Sequence, residues 1–178
     1  MLNNDIFKKI EGKLYRYFRD LSEIDILEEE CRSLQGQAED IKWDIEHCNV
    51  NVIPDSHMSP SFSERVQTSP TGESMVEKGV IREIEKLEDE FKYVMRQIRR
   101  NRFKIRQLKR NTARLKKVLT VPPMSEEMVK FIIFKYKMNK SVDWIANEMY
   151  GGVRSTAYRR REEILEYIVK WINIHDDI

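Results

Sequence analysis

Two long stretches of this chain repeat apolar residues at helical spacing, and that repeat limits the fold more than any other feature. From about Asp5 to Cys48 the stripe reads Ile6, Ile10, Leu14, Tyr17, Leu21, Ile24, Leu27, Cys31, Leu34, Ala38, Ile41, Ile45 and Cys48, mostly in alternating steps of three and four. The steps Leu21 to Ile24 to Leu27 are both three, a stammer that overwinds the seam locally. From about Met75 to Leu119 a cleaner heptad appears. One seam position reads Ile84, Phe91, Ile98, Ile105, Thr112, Leu119 and the other Val80, Leu87, Val94, Asn101, Leu108, Leu115. Each stretch predicts a helix of about 44 residues, roughly 66 Å long. Matching lengths point to an antiparallel hairpin with the intervening segment at its tip. A self-associating coiled coil, and so a homodimer, satisfies the same stripes. Asn101, polar at a seam position, fixes register in either arrangement.

The fold class this predicts is all-α. Charged residues make up 35% of the chain and only 6 residues are glycine, a composition of solvent-laced helices. Between the long helices, at about 49–75, Pro54, Pro60, Pro70, Gly72 and several serines predict a mobile loop. Val121-Pro122-Pro123-Met124-Ser125 stops the second helix. The predicted domains are therefore a helical hairpin at 1–120 and a C-terminal domain at 121–178. No run approaches the roughly 18 to 20 apolar residues that span a bilayer. The first residues also lack the basic-then-apolar plan of a secretion signal, so a cytoplasmic protein with no membrane partner is expected. Cys31 and Cys48 would lie roughly 25 Å apart along one helix, too far to bridge, and read as reduced, packed small hydrophobes.

The C-terminal domain predicts three helices. Ser125, Glu126 and Glu127 open the first, which carries Met128, Val129, Phe131, Ile132, Phe134, Tyr136 and Met138. Asn139-Lys140-Ser141 forms the turn to a second helix, Val142 to Met149. Ser141 is placed to cap that helix, with Trp144, Ile145 and Met149 on its inner face and Ala146 small enough for another helix to cross closely. Gly151 and Gly152 end it where a positive dihedral costs little. Val153 is expected to return to the core and Ser155 to cap a third helix reaching about Ile174, with Ala157, Ile164, Leu165, Ile168 and Trp171 inward. Such a pair of helices is a helix-turn-helix, whose second helix enters the major groove by its N-terminal turns. Arg154, Ser155, Thr156, Tyr158 and Arg159 are the hydrogen-bonding side chains there, and so the predicted readers of double-stranded DNA.

Charge is segregated beneath a net charge of +2. Between Phe91 and Ser125 there are twelve lysines and arginines and no acid. Met1 to Arg19 holds five bases against two acids, whereas Asp20 to Glu46 holds ten acids against Arg32 and Lys42. An antiparallel hairpin brings the basic segments together at the end joined to the helix-turn-helix. Arg99, Arg100, Arg102, Arg106, Lys109 and Arg110 are then candidate phosphate contacts supplying salt-dependent affinity. A solvated face paired with the acidic helix is the other reading of the same residues.

Trp144-Ile145-Ala146 followed by Arg154-Ser155-Thr156-Ala157-Tyr158-Arg159 and Ile164-Leu165 resembles the helix-turn-helix of phage late-gene transcriptional activators of the RinA and ArpU type. These are similar in turn to the promoter-reading region four of sigma factors. The layout also resembles theirs: an early Leu14-Tyr15-Arg16-Tyr17, a serine and proline loop, a long basic helix, then a domain starting near Met124. The resemblance implies DNA contacts at Arg154, Ser155, Thr156, Tyr158 and Arg159. It also implies activation of a phage or prophage late operon with host RNA polymerase in a bacterial cytoplasm. Arg160 stands where the relatives are apolar, and is expected to snorkel or to contact phosphate as a further DNA-binding residue.

No enzyme, catalytic residue, metal or cofactor is expected. His47, His57 and His175 lie apart from any cysteine or carboxylate cluster at ligand spacing, and no glycine-rich phosphate cradle follows a strand. Asp143, Glu148, Glu162 and Glu163 read as capping and surface charges. Two other functions fit the pattern. One is a DNA-packaging protein resembling the small terminase subunit, which places its DNA-binding part first. The other is a coiled-coil scaffold whose helix-turn-helix binds protein.

Overall fold

A computed structural model describes residues 4–52, 75–120 and 124–176. The described residues are helical without strands. They form α1 (Asn4–Glu46), α2 (Met75–Thr120), α3 (Glu126–Ile132) continuing into a π-helical turn (Ile133–Lys137), α4 (Val142–Met149) and α5 (Arg154–Asp176). Most of the predicted mobile loop, together with Val121, Pro122 and Pro123, lies outside the described residues.

The first two helices pack against each other, and the chain divides into two compact units, Met1–Leu27 with Lys104–Ile178, and Glu28–Phe103. In the second unit Ala38 and Ile41 of α1 are buried with Val94 and Ile98 of α2, flanked by Leu34, Ile45, Leu87 and Phe91. Asn101 Nδ2 donates to Glu30 Oε2 at 3.1 Å, so the polar seam residue is held by a carboxylate of the facing helix. In the first unit Lys104 pairs with Glu23, and Ile10 and Leu14 share a core with Val118. Residues later in α1 meet residues earlier in α2 within each unit.

The α2 heptad is buried or half-buried at each predicted position, because its three-four alternation is unbroken. The α1 stripe differs at both ends, where Ile6 and Cys48 are exposed, and at one internal step. Asp20 is buried, 7% exposed, while the predicted Leu21 is only half-buried. With Asp20 in the seam the steps run Leu14, Tyr17, Asp20, Ile24, Leu27, which moves the stammer back towards Tyr17. Helical register outweighs hydropathy at that position. Cys31 is buried as predicted, but Cys48 is exposed, because α1 ends at Glu46 and Cys48 sits in the following turn with φ 50°.

The C-terminal helices share one core with the ends of the long pair. Ile10, Leu14 and Val118 pack with Phe131, Ile132, Tyr136, Val142, Ile145, Ala146, Ala157, Ile164, Leu165 and Ile168. Ser125 caps α3, its hydroxyl accepting from Met128 N at 3.3 Å. The helix then widens: Met138 N donates to Ile133 O at 2.9 Å, an i to i−5 bond. Asn139 at φ 54° closes the turn into α4.

Candidate nucleic-acid interface

The candidate surface is built on α4, its turn and α5. The Ser141 hydroxyl accepts from Trp144 N at 3.1 Å and so caps α4. Val142, Ile145 and Ala146 are buried beneath it. Ala146 and Ala157, each with no exposed surface, are the small residues where α4 meets α5. Trp144 is a correction to the expected inner face. It is 37% exposed because the inner arc is set by Val142, Ile145, Ala146 and Met149, leaving position 144 on the flank. Its ring instead meets the edge of Phe134, centroids 5.2 Å apart, with Lys140 over it at 5.0 Å. Trp171 is half-buried against the core.

The turn is made by two left-handed glycines, Gly151 at φ 58° and Gly152 at φ 85°. The Tyr150 and Gly152 amides both donate to Ala146 O at 2.9 Å, which folds the chain back over the end of α4. Val153 does not return to the core. It is 51% exposed, and its carbonyl instead accepts from Ala157 N at 3.4 Å to start α5. Ser155 therefore lies within the first turn of α5, after Arg154, rather than at the cap.

Of the predicted readers, Arg154, Ser155, Tyr158 and Arg159 are exposed and Thr156 is half-buried. They line the first turns of a helix whose opposite side, Ala157, Ile164, Leu165 and Ile168, is fully buried. The arginines are not bare cations. Arg154 Nε lies 3.1 Å from Asp143 of α4, and Arg159 lies 3.7 Å from Glu163 one turn on. Arg160, which the sequence sends towards solvent or phosphate, is held by Glu163 at 2.7 Å and by Glu127 of α3 at 3.4 Å. Its Nε is buried without a hydrogen bond. Burial, with the Glu127 carboxylate nearby, pushes the neighbouring Tyr150 hydroxyl up to about 12.

Sequence reasoning missed the cluster behind this surface. Arg161 donates through two nitrogens to Glu11 Oε1, at 3.0 and 2.7 Å, and the Tyr136 hydroxyl donates to the same oxygen at 2.8 Å. Arg161 also lies 4.7 Å over the Phe7 ring. Burial first, then the Glu11 carboxylate, raises the Tyr136 hydroxyl well above the usual phenol range. Glu163 could have been found from its i+4 and i+3 spacing to Arg159 and Arg160. Glu11 has no such local signal.

Along α2 all six phosphate candidates are exposed. Arg99 and Arg100 in one unit and Arg106 and Arg110 in the other have no ion-pair partner among the described residues. Arg102 faces the Gln35 side-chain amide, whose oxygen accepts from its Nη2 at 3.1 Å when the amide is turned to satisfy both of its ends. Among the described residues no cluster of histidine, cysteine or carboxylate is arranged to hold a metal, and no helix is long and apolar enough to cross a membrane. No family model, curated protein or solved structure matches the chain, so the function of this surface rests on its own geometry.

Proposed function

We propose that the chain is a sequence-specific regulator that binds double-stranded DNA through α4 and α5 as a helix-turn-helix, with the N-terminal turns of α5 in the major groove. One observation carries this reading. The capped α4, the paired glycine turn and the burial of Ala146 and Ala157 leave Arg154, Ser155, Tyr158 and Arg159 exposed on one end of a helix anchored by Ile164, Leu165 and Ile168. Base edges need donors and acceptors on such a rigid support. The exposed arginines of α2 suit phosphate contacts that set affinity without sequence. In the fuller form of this proposal the protein is an activator of phage or prophage late genes, acts with host RNA polymerase in the bacterial cytoplasm and binds as a homodimer through its long antiparallel helices.

The test is footprinting on the DNA surrounding its own gene at near-physiological salt, with random DNA as competitor. One discrete protected site beside a promoter is the expected result. Uniform, salt-labile protection would overturn sequence specificity.

A second reading, a helix-turn-helix that binds protein, is favoured by the carboxylate partner that each of Arg154, Arg159 and Arg160 already holds. Retention of function after removal of Arg154 and Arg159 would support it.

A further inference from the structure

The N-terminal turns of α1 and the C-terminal half of α5 flank an open groove of about 530 Å³, lined by Ile6, Lys9, Ile10, Gly12, Lys13, Arg16, Val169 and Ile172. We propose that this groove docks an acidic, amphipathic helical segment of a partner protein. The inference is independent of whether α5 reads DNA.

Three observations converge on that occupant. The floor is apolar, and Ile6 is 40% exposed on it, whereas the next stripe residues, Ile10 and Leu14, are buried. The rim is cationic: Lys9, Lys13 and Arg16 follow one another at steps of four and three on one face of α1, and none has an ion-pair partner among the described residues. Glu11, the carboxylate nearest in sequence, is directed away to Arg161 and Tyr136. Between floor and rim lies Gly12, inside a helix where glycine weakens the structure relative to alanine. A Cβ added there would meet nothing within 4 Å, so the position is open and a large side chain placed there would obstruct the groove. Apolar anchors set in a groove, with carboxylates against the cations, are how an amphipathic helix is recognised. A nucleic-acid backbone would use the cations but leave the apolar floor unoccupied.

The experiment titrates the full chain into a fluorescein-labelled synthetic helix with leucines on one face and glutamates beside them, read by anisotropy. Saturable binding is expected, weakened by roughly tenfold or more in Gly12→Phe and in the triple variant Lys9→Gln, Lys13→Gln, Arg16→Gln. The circular dichroism melt should stay at the parent's in both. Val169→Arg serves as a second block of the floor should Gly12→Phe melt early. Equal binding by a control peptide with the leucines changed to serine would overturn the proposal, as would binding unaffected by the variants. If the parent ignores the peptide while the triple variant loses affinity for random-sequence DNA or for phosphatidylserine vesicles, the cations serve phosphate and the proposal fails.

Discussion

Asp143 Oδ1 lies 3.1 Å from Arg154 Nε, joining the first turn of α4 to the first turn of α5. Arg154 is largely exposed and Asp143 about half so, and such a solvated pair contributes little to stability. In the proposed DNA complex it would instead limit how much positive charge the N-terminal end of α5 offers to a phosphate. Asp143→Asn should tighten binding to random DNA and steepen its dependence on salt, with an unchanged melting temperature. Filter binding across a salt series checks this, and an unaltered slope would separate Asp143 from the DNA surface.

Of the two arginines among the candidate readers, Arg159 is held the more loosely, its Glu163 partner being 3.7 Å away on the same helix. Arg159→Ala should weaken binding to the footprinted site by roughly 1 to 3 kcal/mol, the range for a bidentate base contact, and leave random DNA much less affected. Equal loss on both would reassign Arg159 to phosphate.

Glu11 and Arg161 form an ion pair whose side chains are only 16% and 21% exposed. Removing one partner of a buried pair strands the other charge. Glu11→Gln should cost roughly 3 kcal/mol, the lower end of that range because Arg161 keeps some solvent. The double variant with Arg161→Met should recover part of the loss. Urea melts of the four proteins form the cycle, and simple additivity would count against a coupled pair.

The Tyr136 hydroxyl is raised above its ordinary value of 10.0 by burial and by Glu11. A raised value means the folded chain keeps a proton that the unfolded chain releases. Its stabilising effect is therefore complete below pH 10 and declines as pH climbs above that value. Tyr136→Phe should be less stable at neutral pH and lose stability less steeply above pH 10. Parallel alkaline profiles would show that this hydroxyl does not govern the decline.

Much of the architecture was legible in the sequence because it rests on local rules. The α2 heptad from Val80 to Leu119, the caps at Ser125 and Ser141, and the bounds of α4 follow from spacing and from single residues with one conformational use. The misreadings share a cause: residue type was allowed to decide where geometry does. Hydropathy favours Leu21 over Asp20 and an inward position for both Trp144 and Val153, yet Asp20 is buried and Trp144 and Val153 are exposed. Leu21, Trp144 and Val153 each sit one position from the arc that the helix or turn presents. The partners of the candidate readers were hidden for another reason. Asp143 and Arg154 meet only after the glycine turn closes, and Glu11 and Arg161 meet across 150 residues, a separation at which no sequence period operates.

The shared core of Ile10, Leu14, Phe131 and Leu165 has a consequence for how the protein comes into being. During synthesis the first turns of α1 leave the ribosome long before the residues that will cover them. Closing so long a loop delays the final packing step, and until Leu165 and Ile168 emerge, Leu14 remains open to water or to a chaperone. The surface bearing Arg154 and Arg159 thus acquires its support only once α5 has emerged, and a chain cut short within α5 would expose the sticky face of α1 rather than a smaller working protein.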